Sequence, residues 1–383
     1  MTDDAPRPLL PQEDPSYDDG LTPSARMSAE LVATELHAHP ELSMQERRSA
    51  GLLRRELAAG GFAVADAPRC PTAFVASAGT ARRRIALCLE YDALPGIGHA
   101  CGHHLIAGAG IAAALSLLPE LQTLDLSLRV VGTPGEERGG GKVILLERNV
   151  FDGVEAALMV HFVPEGFSAN PAGTSSYAVG RERVTFTGRA AHAAAAPHEG
   201  RNAGDATVIA QVAIGVLRQQ TRPEERIGLH VVSGGLSTNI IPAESTMDFE
   251  CRSTTWAGYT ALRDRVLRCI HAAAYAAECE YRLEQLEPAY QPLEQNEDLA
   301  AIWSRAIARR GHRVDRRALP TMVSTDMGNV SRHMPSVHPW LSIPGVTAPI
   351  HTAEFADASI GPAAVRTMLD AAAALADTVR ALA

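Results

Sequence analysis

One short stretch of the chain concentrates residue types that bind metal ions: Glu90-Tyr-Asp-Ala-Leu-Pro-Gly-Ile-Gly-His-Ala-Cys-Gly-His-His. Thiolate and imidazole groups together suit zinc and similar borderline metals. We therefore predict that Cys101 and His103 are metal ligands, although an isolated Cys near a His is more often part of a protein core. The neighbouring His99 and His104 are weaker candidates, for which an indirect role or a substrate contact is an alternative.

Further ligand types follow other predicted strands. Glu136 and Glu137 lie directly after one apolar run. Adjacent carboxylates beside a metal can divide their roles, one as ligand and the other as general base, whereas a solvated acidic turn is the alternative. The apolar run 156–160 predicts a further strand, which His161 ends, and His351 lies far downstream in the sequence. Each of these histidines is weak evidence by itself.

The elements around these residues indicate how they are positioned. The apolar run 85–89 predicts a buried strand before the ligand-rich stretch, and the small apolar residues of 105–118 predict a packed helix after it. Alternation of strands and helices along the chain predicts an α/β fold, with a mostly parallel sheet and helices on both faces. In such sheets, sites form in the loops beyond the carboxyl ends of the strands.

The pattern changes near residue 177. From there a β-α-β-β-α-β order predicts a compact ferredoxin-like α+β domain inserted into the first. We therefore predict four segments: an N-terminal arm (1–23), the first part of a catalytic domain (24–177), the inserted lid and dimerisation domain (178–290) and the second part of the catalytic domain (291–383).

Bulk properties narrow the class of protein. The chain has 383 residues and a formal net charge of −9, which together with the lack of a basic cluster argues against binding to nucleic acid. Its six cysteines are dispersed and form no Cys-x-x-Cys pair, which favours a reducing compartment. We find neither a signal-peptide pattern nor an apolar run of transmembrane length, so we expect a cytoplasmic protein without membrane contact.

The inserted domain contributes polar residues of its own. His192 follows Ala-Ala, Asn239 precedes Ile-Ile-Pro, and Arg252 ends a predicted strand. These side chains are suitable donors to an oxyanion and to a substrate carboxylate. The alternative is an ordinary loop histidine, a turn and a surface arginine.

Together these motifs resemble the aminoacylase and glutamate-carboxypeptidase family of two-metal peptidases (peptidase family M20), and more narrowly its amidohydrolase branch. The resemblance covers nearly the whole chain after about residue 24. The motifs that carry it occur in the family order: Asp92-Ala-Leu-Pro, His99-Ala-Cys-Gly-His, Gly135-Glu-Glu, Ala191-His192, Asn239-Ile-Ile-Pro and His351.

The resemblance implies a role for each matching position. Glu136 matches the general base, Asp92 the acid that orients a ligand, and His192 the histidine that stabilises the oxyanion. Asn239 and Arg252 match substrate-binding positions. Five positions match metal ligands: Cys101, His103, Glu137, His161 and His351. The family likeness further implies two divalent ions per subunit, with zinc preferred over manganese, cobalt or nickel, a zinc-exopeptidase-like fold, and a homodimer formed through the inserted domain.

Some positions depart from the hippuricase-like members. The segments Glu90-Tyr-Asp92 and Ser324-Thr-Asp326 resemble instead the β-alanyl-lysine dipeptidase and aminobenzoyl-glutamate hydrolase group. His104 stands where an Asn is usual in that group, and we take His104 and Asp326 as candidate substrate-binding residues.

The sequence thus predicts a metal-dependent hydrolase that cleaves the amide bond of a dipeptide, an N-acyl amino acid or an aryl-amide conjugate. Two alternatives stay open. One is an amidohydrolase dedicated to a natural product, and the other is a catalytically inactive homologue used as a binding or regulatory module.

Overall fold

The computed structural model describes residues 20–315 and 323–383, so most of the predicted N-terminal arm lies outside the described residues. Strands and helices are numbered here in chain order. The chain divides into two compact units. Within the described residues, the first unit contains 20–174, 293–315 and 326–383, and the second contains 175–292 and 323–325.

The first unit is built on a mixed sheet with the strand order β1-β2-β4-β3-β5-β11. Strands β3, β4, β5 and β11 are parallel to one another. Strands β1 and β2 form an antiparallel edge beside β4. Its strands are β1 (Ala63–Asp66), β2 (Phe74–Ala78), β3 (Arg84–Leu89), β4 (Ser127–Gly132), β5 (Ala156–Leu158) and β11 (Ser336–Val337).

The helices of this unit include α3, which follows β3, and α4, which follows β4. The helices are α1 (Pro23–Ala38), α2 (Arg47–Gly60), α3 (His103–Leu117), α4 (Gly141–Glu147), α7 (Glu297–Ala308), α8 (Met327–Ser331), α9 (Ala353–Ala358) and α10 (Pro362–Arg380). The chain moves from β3 to β4 in one direction and from β4 to β5 in the other. Right-handed crossovers therefore place α3 and α4 on opposite faces of the sheet. The direction changes between β3 and β5, which is where open α/β sheets bind ligands.

One predicted strand is divided in the structure. We expected a continuous strand over 156–160 that ends at His161. Instead β5 ends at Leu158, and His161 begins a separate strand, β6 (His161–Val163), which pairs with β12 (Trp340–Ser342). His161 therefore lies at the start of a second small sheet, and its amide donates to the carbonyl of Pro339 at 2.9 Å.

The second unit has the antiparallel strand order β10-β7-β9-β8. Its strands are β7 (Ala178–Thr187), β8 (Arg226–Ser233), β9 (Glu244–Ser253) and β10 (Glu280–Gln285), and its helices are α5 (Ala203–Leu217) and α6 (Trp256–Ala276). This order of strands and helices is ferredoxin-like. Both the α/β class and the ferredoxin-like unit that the sequence predicted are therefore confirmed.

Candidate metal centre

The ligand-rich loop folds back at the entrance to helix α3. Gly102 precedes the helix with φ of 77°, a left-handed conformation that glycine adopts without steric cost. This turn places Cys101 just before the helix and His103 at its first position. Both side chains are buried, at 7% and 0% exposure.

Asp92 fixes the orientation of the His103 ring. The Nδ1 atom of His103 lies 3.0 Å from Asp92 Oδ1 and 2.9 Å from the Asp92 carbonyl oxygen. Burial opposes a charge on His103, but Asp92 and Cys101 outweigh it and raise its pKa well above the usual value. The contact with Asp92 leaves Nε2 as the atom that can bind a metal, which is the arrangement in many metal sites.

His161 approaches the thiol of Cys101 from the neighbouring strand end. Its Nε2 atom lies 3.5 Å from Cys101 Sγ, and its Nδ1 atom lies 2.9 Å from the carbonyl oxygen of Phe162. Burial, with the charge on His103, lowers the pKa of His161 to about 4. A neutral imidazole of this kind is a ready metal ligand.

Burial has the opposite consequence for Cys101. Together with the charge on Glu137, it raises the pKa of the thiol well above the usual value. A thiolate at this position therefore needs a nearby cation, which a bound metal ion provides.

The turn after β4 carries the paired glutamates and is held by two buried carboxylates. Glu46 Oε1 accepts from the amide of Gly135 at 2.9 Å, and Asp92 Oδ2 accepts from the amide of Glu137 at 3.0 Å. Asp92 thus orients both His103 and the turn. These contacts fix the backbone on both sides of Glu136.

His351 reaches the same place from the C-terminal part of the chain. Its amide donates to the carbonyl of Ala100 at 2.8 Å, and its backbone has φ of 66°, which is uncommon for a residue other than glycine. Its Nε2 atom lies 3.3 Å from Glu137 Oε1. The His351 side chain is half exposed, whereas His103 is fully buried.

The potential ligand atoms form overlapping groups in which all atoms lie within 4.8 Å of one another. The groups are Cys101 with His103 and His161, Cys101 with Glu137 and His351, His103 with Glu136 and Glu137, and Glu90 with Glu136 and Asp326. The His103 Nε2 atom has no hydrogen-bond partner among the described residues, although it is buried. The donor set and this unpaired atom fit a metal ion.

The two adjacent glutamates differ electrostatically. Burial, reinforced by the charges of Glu90 and Glu137, raises the pKa of Glu136 well above its usual value. Burial acts in the same direction on Glu137, but its contact with His351 and the charge on His103 prevail and lower its pKa. The first carboxyl is therefore suited to hold a proton, and the second to remain a carboxylate.

Sequence reasoning missed Lys142 of helix α4, whose side chain is fully buried. Its Nζ atom lies 2.5 Å from Glu90 Oε1 and 2.7 Å from Asp326 Oδ1. Burial disfavours the ammonium, but Asp326 and Glu90 outweigh this effect and raise the pKa of Lys142. The available signal was a lysine at the start of the apolar helix α4, where a charge needs partners.

Two predicted substrate-binding residues are completely buried. The His104 Nε2 atom lies 3.0 Å from the carbonyl oxygen of Ser359, and its ring contacts His37 and His99. Asp326 pairs with Lys142. These contacts favour a role in packing for His104 and a role in charge balance for Asp326 over the predicted contact with substrate.

The other three predicted residues belong to the second unit. His192 is exposed, and its Nδ1 atom accepts from the amides of Ala194 and Ala195 at 3.2 and 3.1 Å. Asn239 lies beside it, because its carbonyl accepts from the amide of Ala193 at 3.0 Å.

Arg252 of β9 is engaged by a neighbour in the same unit. Its guanidinium pairs with Glu250 at 2.5 Å. This pairing reduces its availability for the carboxylate of a substrate.

Residues 87–376 match the model of Peptidase family M20/M25/M40. The chain belongs to this family. The predicted resemblance is confirmed, and so is the predicted class of enzyme, a hydrolase of C–N bonds.

Among relatives, the Xaa-Arg dipeptidase of Mus musculus is 36% identical over 357 residues, which cover 88% of this chain and 82% of the relative. A p-aminobenzoyl-glutamate hydrolase of Escherichia coli (strain K12) is 33% identical over 284 residues, or 68% of this chain and 58% of the relative. The solved structure of the Bacillus subtilis YXEP protein, described as a dinuclear metal binding peptidase, has the same fold, with a TM-score of 0.67 and 22% identity over 93% of this chain and 98% of that chain.

Proposed function

We propose that this M20 peptidase is a two-metal hydrolase of dipeptides or related N-acyl amino acids, with Glu136 as its general base. The observation that carries the proposal is the sharing of Cys101 between two groups of ligand atoms. One group adds His103 and His161, and the other adds Glu137 and His351. Cys101, His103, His161, Glu137 and His351 would hold the two ions, and zinc suits the thiolate and the three imidazoles of this set.

Glu136 is adjacent in the sequence to the proposed ligand Glu137, and its carboxyl group is placed to transfer a proton. A bound pair of metal ions would polarise the carbonyl group of the substrate and lower the pKa of the attacking water. Glu136 accepts the proton from that water as the water attacks the amide carbon. The Glu136 carboxyl then delivers this proton to the departing amine, so that the carboxylate is restored at the end of the reaction.

His192 is proposed to donate a hydrogen bond to the oxyanion. The amides of Ala194 and Ala195 donate to its Nδ1 atom, so Nε2 is the ring atom that can donate to the oxyanion. A donor that is oriented in advance stabilises developing charge without further reorganisation. Asn239, beside it in the same unit, is proposed to bind substrate.

The relatives suggest which substrates to try first. One relative is named for Xaa-Arg dipeptides and another for p-aminobenzoyl-glutamate. Both compounds are amides of an α-amino acid whose carboxylate is free. We propose this substrate class for the present enzyme.

The experiment compares the wild type with Glu136→Gln on Xaa-Arg dipeptides, p-aminobenzoyl-glutamate and N-acetyl amino acids. We expect Glu136→Gln to lower kcat by roughly 100- to 10,000-fold, because general base catalysis is lost. The metal content should stay unchanged. The matched control is Glu147→Gln, the same change at an exposed residue of α4, which should retain wild-type kcat.

Two results would contradict the proposal. Wild-type protein supplied with zinc, manganese or cobalt that hydrolyses none of these amides would remove the proposed substrate class. Full turnover by Glu136→Gln would remove Glu136 from the role of base.

We also propose a homodimer formed through the second unit. On α5, the side chains of Val208, Val212 and Val216 are 56%, 62% and 66% exposed and repeat every four residues on one face of the helix. Strand β8 is at an edge of the sheet, with Val231 and Val232 exposed. An apolar face beside an open strand edge supports a self-association surface.

A cytoplasmic location is proposed as well. It is supported by six cysteines that are all unpaired thiols. Separately, among the described residues no helix has both the length and the apolar character that a bilayer span requires.

A further inference from the structure

Two polar side chains without partners lie beside His161 at the candidate metal centre. The rings of His338 and Trp340 are centred 5.9 and 6.0 Å from the ring of His161. Both ring nitrogens of His338 and the indole nitrogen of Trp340 are buried, and none of them has a hydrogen-bond partner among the described residues. Leaving a buried polar atom unpaired is costly, so these atoms indicate a missing partner.

Another tryptophan of the same unit provides a contrast. Trp303 is fully buried, and its Nε1 atom donates to the carbonyl oxygen of Ala169 at 2.9 Å. The side chain of Trp340 is instead 8% exposed, so part of it can be reached by a ligand from solvent. The unpaired N–H of Trp340 therefore lies close to the surface of the site.

A metal ion does not account for these atoms. His338 belongs to none of the groups of potential ligand atoms found among the described residues, and an indole N–H can only donate a hydrogen bond. An imidazole carries at least one N–H in either protonation state. The two side chains thus offer at least two donors, which suit a group with two acceptor oxygens.

The backbone on both sides of Pro339 is fixed in advance. The amide of His338 donates to Gln295 Oε1 at 2.9 Å, and Gln295 Nε2 donates to the carbonyl oxygen of His338 at 2.8 Å. Trp340 is the register partner of His161 in the parallel pair of β12 and β6. Donors on a backbone held in this way lose little freedom when they bind a ligand.

We propose that the N–H groups of Trp340 and His338 bind the α-carboxylate of the substrate and thereby determine specificity. The inference rests on the proposed function, whose substrates are amides of an α-amino acid with a free carboxylate. Only the amide nitrogen and the α-carbon separate this carboxylate from the carbon that water attacks, so the carboxylate lies next to the metal ions. Carboxylates accept strong hydrogen bonds from neutral N–H groups. Arg252, predicted for this role, is engaged by Glu250.

The test compares substrates that differ only in this carboxylate. Alanyl-arginine and p-aminobenzoyl-glutamate are each paired with the analogue that carries a carboxamide in place of the α-carboxylate. Trp340→Phe keeps an aromatic ring and removes the N–H. We expect its kcat/KM on the acids to fall by roughly 10- to 100-fold, mainly through KM, because a hydrogen bond to a charged group is lost. Its kcat/KM on the carboxamides should stay close to that of the wild type.

Trp303→Phe is the matched control. It makes the same change at a buried tryptophan whose N–H is paired within the protein. We expect a lower Tm, because the carbonyl of Ala169 loses its donor, but a wild-type ratio of kcat/KM between acid and carboxamide.

His338→Phe should lower this ratio as Trp340→Phe does. Both variants should bind as much Zn²⁺ as the wild type, because neither residue is a candidate ligand. If His338→Phe fails to fold, the result for Trp340→Phe alone decides.

The outcomes separate this inference from the proposed function. A wild-type ratio in Trp340→Phe would mean that an internal water satisfies these N–H groups, and would overturn the inference alone. Loss of bound zinc in Trp340→Phe would assign the residue to the metal site and would overturn the inference as well. A zinc-supplied wild type that hydrolyses neither the acids nor the carboxamides would instead overturn the proposed function.

Discussion

At the scale of single residues, Glu46 supports the turn that carries Glu136 and Glu137. Its Oε1 atom accepts from the amides of Met44 and Gly135 at 2.8 and 2.9 Å, and its side chain is fully buried. Burial, with the nearby charge of Asp92, raises the pKa of Glu46 from 4.5 to about 7. Both accepted hydrogen bonds are to one oxygen, so a glutamine can retain them without the charge.

Glu46→Gln is therefore expected to change how stability depends on pH. The folded pKa is raised, so the contribution of the neutral carboxyl is complete below about pH 4.5 and is lost as the pH rises through about 7. Glutamine does not titrate and avoids this loss. Relative to the wild type, the variant should gain up to about 3 kcal/mol in the free energy of unfolding between pH 4.5 and pH 8.

The measurement is urea denaturation of metal-free wild type and variant at pH 5 and pH 8. Glu147→Gln, at an exposed position, is the control and should leave the difference between the two pH values unchanged. An equal stability difference between wild type and Glu46→Gln at both pH values would show that Glu46 does not titrate in this range.

Part of the candidate site could be predicted residue by residue from the sequence. Cys101, His103 and the Glu136-Glu137 pair have residue types and spacings that point to metal chemistry, and the fold brings their side chains together as expected. Their roles as ligands and base stay predictions. Lys142 and Glu46 have no such local pattern, because each acts through partners that are distant in sequence and meet it only in the folded chain.

At the scale of elements, helix α3 carries His103 and packs closely between its neighbours. A Cβ added at Gly108 would lie 2.4 Å from Met368 Sδ on α10 and 3.0 Å from the carbonyl oxygen of Ala29 on α1. The absence of a side chain at Gly108 therefore allows α3 to approach both helices closely. The sequence predicted this packed helix correctly.

Gly108→Ala should consequently destabilise the first unit. Overpacking of this kind typically costs about 1–3 kcal/mol, more than the gain in helix propensity of about 1 kcal/mol. Gly215→Ala in α5 is the control, because no atom lies within 4 Å of the added Cβ. Thermal unfolding followed by circular dichroism should give a lower Tm for Gly108→Ala and an equal or higher Tm for Gly215→Ala. A higher Tm for Gly108→Ala would mean that Met368 moves aside at no cost.

The division between β5 and β6 marks the limit of prediction at this scale. Residues 156–163 are largely apolar, so the sequence pattern has no feature that distinguishes one strand from two. The break arises because β6 takes a different partner, β12, which follows Pro339 in the distant C-terminal segment. Partner choice between distant segments is not encoded in local periodicity.

At the scale of the whole molecule, the second unit was recognisable from its order of strands and helices alone. Helix α5 packs into the core of this unit through one face, on which Ala206, Ala210 and Ile214 are buried. The remaining face of α5 has no partner among the described residues of the chain. Sequence periodicity could not reveal this face, because α5 is apolar nearly all round and only the structure separates its buried and exposed valines.

Val212→Glu tests whether this face joins two subunits. A carboxylate at the centre of an apolar interface loses its hydration without gaining a partner, so the dimer should dissociate. Sedimentation equilibrium should give about twice the 40.7 kDa chain mass for the wild type and a single chain mass for the variant.

Tyr275→Glu on α6, where the side chain is 83% exposed, is the control and should remain dimeric like the wild type. Because the proposed metal ligands all belong to the first unit, Val212→Glu should also bind both ions, so any loss of turnover would come from dissociation itself. A monomeric wild type, or a dimeric Val212→Glu, would place the interface elsewhere or remove it.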